Sequence, residues 1–160
     1  YLYLLDQIRG KWLWNDLVEV AKAFYEKHND TGKYGNKPGV WRMYIENKAS
    51  GQSLIQVRDF REMGMNVFPW DAAKCGPTDK VGRVSESLVR IAGGMVVLPD
   101  TDESDSWIDG FVNECNAFSM DNSQAEDDQV DAMTTAILIW RRLVEGTLPD
   151  SAKKGKHELN

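Results

Sequence analysis

Residues 78–99, TDKVGRVSESLVRIAGGMVVLP, decide the fold class of this chain. One face of the segment is apolar at the spacing of a helix, at Val81, Val84, Leu88 and Ile91. This spacing predicts a helix that Thr78 caps and that ends at Gly93-Gly94. Met95–Leu98 is a short apolar run that Pro99 closes, which predicts a strand directly after the helix. Alternation of helices with strands is typical of α/β proteins.

The rest of the chain continues this alternation. Strands are predicted at Tyr1–Leu5, Val40–Glu46 and Met65–Trp70. Helices are predicted at about Asn15–His28, from Ser50 or Ser53 to Gly64, from Ser104 or Asp105 through Cys115, and at about Glu126–Val144. The order of the elements predicts a sheet that is at least partly parallel. The sequence shows no internal repeat and no clear domain boundary. We therefore expect one domain over residues 1–148 and a polar, mobile tail over residues 149–160.

The composition is that of a soluble globular protein, but its charge is unevenly distributed. The 160 residues are 42% hydrophobic and carry a formal charge of −6, which by itself argues against a nucleic-acid partner. Residues 33–90 nevertheless hold 10 bases and 6 acids, whereas residues 91–140 hold 11 acids and no base. The apolar run Ala136–Trp140 is far too short to span a membrane, so we expect no membrane partner.

Several common functional motifs are missing from the sequence. There is no Gly-x-x-x-x-Gly-Lys-Ser/Thr, so this chain encodes no P-loop ATPase. Two cysteines without a CxxC pair do not fit a disulfide framework, and with only two histidines they do not fit a tetrahedral zinc site. The candidates for chemistry are therefore carboxylates.

Glu46 is the first candidate, because it ends a predicted strand in Tyr44-Ile45-Glu46-Asn47-Lys48. In open α/β sheets, ligands bind beyond the carboxyl ends of the strands, and an acid there can ligate a metal. The alternative is a solvated carboxylate at the end of the strand, paired to Lys48.

The second candidate is the acidic segment Glu126-Asp127-Asp128-Gln129-Val130-Asp131 at the start of the last predicted helix. Its carboxylates repel one another, and the helix N-terminus offsets this by roughly 0.3–1 kcal/mol per group. The i, i+4 and i, i+3 spacings place Asp131 on the same side as Asp127 and as Asp128. Such a cluster suits hard divalent cations, which take oxygen ligands. The alternative is that these acids bind no metal: there are more of them than the helix needs for capping, and all of them are solvated.

Five segments together resemble a known family: Tyr3–Gly10 (YLLDQIRG), Ile45–Gln56 (IENKASGQSLIQ), Asp79–Arg83 (DKVGR), Gly94–Pro99 (GMVVLP) and Asp127–Ala132 (DDQVDA). They resemble, in the right order, the C-terminal nuclease domain of the large terminase subunit of tailed bacteriophages. That domain is an RNase H-like nuclease that cuts concatemeric DNA during genome packaging. The resemblance extends roughly from Tyr1 to Trp140, and its most specific segments are Ile45–Gln56 and Asp127–Ala132.

The resemblance implies an active site built from acids in three places. The acid after the apolar strand is Glu46, and the acid of the closing helix is Asp128, with Asp127 close behind it. Asp131 is a weaker candidate for a metal ligand and can instead be a structural acid. The implied cofactors are two Mg²⁺ or Mn²⁺ ions, which clamp the scissile phosphate while one activates water and the other stabilises the leaving oxygen.

The resemblance also implies that Lys48 and Lys80 of the middle segment contact the DNA backbone or orient the acids, and that Arg83 contacts DNA. The alternative for Arg83, as for Arg58 and Arg61, is a solvated helix face.

The chain departs from the family's pattern in two places. Glu126 stands where many members have His. The first catalytic Asp, on the first and central strand, has no counterpart, because Tyr1–Ile8 resembles a strand that follows it. The implied fold is thus an RNase H-like mixed sheet that is flanked by helices and lacks its first, central strand. We accordingly expect a piece of a larger protein, which carries that strand and an upstream ATPase domain, and we expect that this chain alone can be inactive because the first catalytic Asp is absent.

The sequence therefore leads to the hypothesis of a metal-dependent endonuclease domain of a viral DNA-packaging terminase. By the resemblance, its partners are double-stranded DNA, the portal protein and the small terminase subunit. It would act in the bacterial host cytoplasm and transiently at the procapsid portal. Two alternatives stay open. One is a truncated, inactive prophage remnant or interaction domain, and the other is an acidic metal-binding α/β protein unrelated to DNA.

Overall fold

The computed structural model describes residues 1–29, 39–48, 50–71, 77, 79–100, 107–118 and 127–147. Within these residues, strands and helices alternate as the sequence predicts: β1 (Leu2–Tyr3), α1 (Trp14–Asn29), β2 (Met43–Glu46), α2 (Ser50–Ile55), α3 (Arg58–Glu62), β3 (Val67–Trp70), α4 (Lys80–Ala92), β4 (Val96–Val97), α5 (Trp107–Ala117) and α6 (Asp128–Glu145). The α/β class is confirmed. The predicted tail, Glu126 and the predicted caps Ser104 and Asp105 lie outside the described residues.

The strands pair in parallel, as expected for at least part of the sheet. β1 pairs with β4, with Leu2 opposite Val96. β2 pairs with β3, with Glu46 opposite Trp70 at the carboxyl ends of both strands. Within the described residues these pairs are two separate two-stranded sheets. The expectation of an absent central strand stays a prediction.

The contacts of the chain gather in two units. One is Tyr1–Ile8 together with Ala72–Pro149, and the other is Arg9–Asp71 together with Asp150–Asn160. The first therefore holds β1, β4 and α4 to α6, and the second holds β2, β3 and α1 to α3. The expectation of one domain over residues 1–148 stays a prediction. No described helix is long and apolar enough to cross a bilayer.

The core of the second unit forms around β2. It contains the buried side chains of Tyr25, Ile45, Leu54, Phe60 and Met65. The apolar face of α1 closes this core, because Leu17, Val18, Ala21 and Tyr25 recur at helical spacing.

The single helix predicted from Ser50 or Ser53 to Gly64 is wrong. It is divided into α2 and α3, because Val57 has an extended backbone (φ −61°, ψ 118°) at the start of α3. The break lets Leu54 and Phe60 both enter the core of the second unit. Gly64 is nevertheless the predicted stop, with φ +74°, a conformation that favours glycine.

In the first unit, α4 and α5 both pack on α6. The N-cap of α4 is Asp79, whose Oδ1 accepts a 2.7 Å hydrogen bond from the Gly82 amide. The prediction of Thr78 as the cap is therefore wrong, and Thr78 itself lies outside the described residues. The predicted apolar face of α4 is only partly covered, because Leu88 is 44% exposed and lines an apolar cavity of about 390 Å³. Ser87 and Thr134 are fully buried.

Candidate functional site

Glu46 lies where the sequence predicts, at the carboxyl end of a parallel strand. The Asn47 amide donates to the Trp70 carbonyl (2.8 Å), which extends the β2–β3 pairing just past Glu46. The Glu46 carboxylate is exposed, and its Oε1 lies 3.0 Å from Lys48 Nζ. Because both side chains are more than half exposed, this ion pair contributes at most about 1 kcal/mol. Glu46 can therefore exchange Lys48 for another cation at little cost.

Gly51 fixes how the chain turns away from Glu46 into α2. A Cβ atom on Gly51 would lie 2.0 Å from the Glu46 carbonyl oxygen and 3.3 Å from Ile45 Cγ2. The Gly51 amide also donates to the Lys48 carbonyl (2.9 Å). Only glycine allows so close an approach, so Gly51 helps to set the position of the Glu46 backbone. Gly51 lies in the segment Ile45–Gln56 that carries the resemblance, but nothing in the sequence indicates this role.

Two of the predicted acids at the start of α6 converge on one ammonium group. Lys80 Nζ lies 2.5 Å from Asp127 Oδ2 and 3.0 Å from Asp131 Oδ2. The i, i+4 spacing that predicts Asp127 and Asp131 on one side of the helix is thus confirmed. Asp128 is exposed and forms no ion pair among the described residues. We call Asp127, Asp131, Lys80 and Arg83 the ion cluster.

Arg83 completes the ion cluster from α4. Its Nη2 atom lies 3.0 Å from Asp131 Oδ1, and the residue is only 7% exposed. The alternative of a solvated helix face is therefore wrong for Arg83. The same alternative, a solvated helix face, is correct for Arg58, whose exposed side chain pairs with Glu62 on its own helix. Lys80 and Arg83 thus both contact the acids at the start of α6, and their predicted contact with DNA stays a prediction.

The ion cluster is balanced, with two carboxylates and two cations. Burial alone lowers the pKa of Lys80, but its hydrogen bonds to Asp127 and Asp131 outweigh that effect and hold the pKa above 10.5. Lys80 is therefore positively charged at neutral pH. The Asp127 side chain is 18% exposed and that of Lys80 is 19% exposed, so solvent screens this contact only in part.

A carboxylate that sequence reasoning missed holds the first turn of α6. Glu114 of α5 accepts hydrogen bonds from the Gln129 amide (2.7 Å) and the Val130 amide (3.3 Å) through Oε1. Its Oε2 accepts a bond from Gln129 Nε2, and Gln129 Oε1 accepts one from Gln7. Nothing in the sequence marks Glu114 except its place on the predicted helix before the acidic segment, because these partners are distant along the chain.

The donor chemistry of these acids suits the implied cations. Mg²⁺ and Mn²⁺ take carboxylate oxygens, and Asp127 and Asp131 already share one positive charge. Among the residues that the structure describes, no three His, Cys, Asp or Glu side chains are gathered to hold a metal ion. Glu46 and Lys48 belong to the second unit, and the ion cluster and Asp128 to the first.

Comparison with models of known protein families gives a match over most of the chain. A family model described as a terminase RNaseH-like domain matches residues 11–139, which is well over half of the chain. The matched range includes Glu46, Lys80, Arg83 and the three aspartates at the start of α6, which are Asp127, Asp128 and Asp131. No curated protein and no solved structure matches the chain.

Proposed function

The chain belongs to the terminase RNaseH-like domain family, and from this premise we propose that it is a metal-dependent endonuclease of viral DNA packaging. Family membership implies a terminase domain of the nuclease type. The finer proposal is that the domain cuts concatemeric double-stranded DNA by phosphodiester hydrolysis with Mg²⁺ or Mn²⁺. The observation that carries it is the convergence of Asp127 and Asp131 on one cation, within the matched range.

The proposed metal ligands are Glu46, Asp127, Asp128 and Asp131. When bound, divalent ions would activate a water molecule and stabilise the leaving oxygen of the scissile phosphodiester. The chain's own contribution is to hold carboxylates at fixed places before DNA arrives. Asp131 is held by Arg83 on one oxygen and by Lys80 on the other, so its orientation is set from both sides.

Lys80 has a second role in this proposal. Two carboxylates that share a site repel each other, and the ammonium group between Asp127 and Asp131 removes this repulsion. If a divalent cation took that place, Lys80 would be released toward the negatively charged DNA backbone. Lys48, whose side chain is 68% exposed, is the more accessible candidate for a phosphate contact.

The proposed partners are double-stranded DNA, the portal protein and the small terminase subunit. The proposed location is the bacterial host cytoplasm and, transiently, the procapsid portal. These proposals rest on the family and on the sequence resemblance.

A second candidate is a catalytically inactive interaction domain of the same family. The observation in its favour is that Asp127 and Asp131 are already paired with Lys80 and Arg83. In that case the ion cluster would only join α4 to α6.

Plasmid cleavage separates the two candidates. We would incubate the chain with supercoiled plasmid and Mn²⁺, beside the variants Asp128→Ala, Asp127→Ala and, as a control, Glu26→Ala at an exposed site on α1. Nicking by the wild type, or only by a version of it that is extended upstream to carry the first catalytic Asp, is the expected result, with loss in the two aspartate variants and no loss in Glu26→Ala. Equal cleavage by Asp128→Ala would refute the site assignment. No cleavage together with no Mn²⁺ binding in a calorimetric titration would favour the inactive domain.

A further inference from the structure

The first turn of α6 has an unusual cap. An Asp at the N-cap position ordinarily turns its carboxylate back and accepts the amide of the second or third helical residue. Asp127 occupies that position, and its backbone has φ −147° and ψ 18°. Its side chain forms no such hydrogen bond. Its carboxylate instead contacts Lys80. The amides at the start of the helix therefore need another acceptor.

Glu114 supplies that acceptor from α5. Its Oε1 atom accepts hydrogen bonds from the backbone amides of Gln129 and Val130, which are the second and third residues of α6. These are the two amides that the Asp127 side chain would otherwise accept. Val130 is only 2% exposed, so water is a poor substitute for the carboxylate there.

Gln129 fixes the orientation of Glu114. Its side-chain amide donates to Glu114 Oε2, while its carbonyl oxygen accepts a bond from Gln7 at 2.5 Å. Gln129 is 7% exposed, so both of its polar ends are satisfied inside the protein. Both oxygens of Glu114 are thus occupied by α6, and the carboxylate has a defined place.

We propose that Glu114 is a positioning residue, which caps α6 in place of Asp127 and so leaves the Asp127 carboxylate free to face Lys80. On the proposed function, that carboxylate is also left free for a divalent cation, and only this part rests on the proposed function. Without Glu114, the ordinary acceptor for the two amides is the side chain of the N-cap residue, which is Asp127. Removal of Glu114 would then turn Asp127 away from the ion cluster.

The first test is a double-mutant cycle of Glu114→Ala and Asp127→Ala, followed by urea unfolding of the full chain. While Glu114 is present, Asp127→Ala removes only the contact with Lys80. When Glu114 is absent, Asp127 has already left Lys80, and Asp127→Ala removes the replacement cap instead. Asp127 makes that exchange only if the cap is stronger than the Lys80 contact, so the unfolding midpoint should fall further than the two single changes add up to. Additive losses would overturn the proposal, because a merely structural Glu114 has no reason to depend on Asp127.

The second test is the affinity for Mn²⁺ alone, measured by electron paramagnetic resonance. If the wild type binds, Glu114→Ala should weaken binding by about 10- to 100-fold, the usual effect of removing a group that orients a metal ligand. The exposed control Glu26→Ala should leave it unchanged. An unchanged affinity in Glu114→Ala would overturn the metal part of the inference.

The two failures can be told apart. If the wild type binds no Mn²⁺, the proposed function fails at this site, and the double-mutant cycle alone decides the positioning role. If Glu114→Ala does not fold, Glu114→Met replaces it in both tests. Methionine keeps the length of the side chain but has no oxygen to accept the Gln129 and Val130 amides, so the cap is lost while most of the shape is kept.

Discussion

Gly51→Ala is the most direct test of how the chain positions Glu46. The added Cβ would lie 2.0 Å from the Glu46 carbonyl oxygen, whereas an ordinary van der Waals contact needs at least 3.4 Å. The neighbouring atom belongs to the backbone, so α2 or the end of β2 must move by more than 1 Å. Such overpacking typically costs about 1–3 kcal/mol of unfolding free energy.

Gly110→Ala is the matched control. Gly110 also lies in a helix, but a Cβ there meets nothing within 4 Å. Replacing an unrestricted helical glycine by alanine stabilises a protein by about 0.5–1 kcal/mol, and this gain is common to both variants. The difference between the two variants in urea unfolding therefore isolates the steric cost, and we expect Gly51→Ala to be about 1–3 kcal/mol less stable than Gly110→Ala.

The tryptophan fluorescence of the chain gives the unfolding signal, because Trp70 beside Glu46 is buried. Equal stability of the two alanine variants would refute the reasoning, since it would mean that α2 can move away from Glu46 without cost. A stability loss with unchanged plasmid cleavage would keep the packing argument but remove Glu46 from the proposed active site.

Three further predictions concern the first unit. Arg83→Met should lower the unfolding free energy by about 1.5–3 kcal/mol, because it removes a buried hydrogen bond between charged groups. Arg58→Met should cost under about 1 kcal/mol, because its ion pair is exposed, and urea unfolding of both variants measures the difference. Folding raises the pKa of Lys80, so the charged Lys80 side chain stabilises the protein fully below pH 10.5. This stabilisation is lost as the pH rises through the pKa that Lys80 has in the folded protein. The difference in unfolding free energy between wild type and Lys80→Met should therefore shrink only in strong alkali. Burial, and secondarily the neighbouring carboxylate, raises the pKa of Cys115 from 9.0 to about 11; in a Cys75→Ser background, iodoacetamide at pH 8 should therefore find roughly 100-fold less thiolate than in an ordinary thiol. Alkylation as fast as that of free cysteine would contradict this.

Local signals in the sequence predict most of the secondary structure. The alternation of elements and the stops at Gly64 and Gly94 follow from spacing and from backbone conformations that glycine adopts easily. The break between α2 and α3 does not follow from them, because it is set by the placement of Leu54 and Phe60 in one core. Caps are equally hard to choose, since Thr78 and Asp79 are adjacent and both residue types can cap a helix.

The candidate site was predictable only as a set of residue types. The acids of α6 are visible as a motif, and their i, i+4 spacing predicts the shared side of Asp127 and Asp131. Their pairing with Lys80 and Arg83 depends on how α4 packs against α6, which no local pattern specifies. The cap from Glu114 is hidden for the same reason, because it joins two helices that are not continuous in the chain.

The parallel pairing of β1 with β4 has a consequence for how the chain is made. Leu2 pairs with Val96, so the first strand leaves the ribosome long before its partner exists. At about 5–20 residues per second, it waits several seconds, and its apolar side chains are open to chaperones during that time. The second unit needs only Arg9–Asp71 for its core and can form meanwhile. Of the two paired segments, the one that is synthesised earlier must thus wait for the later one before it can pair.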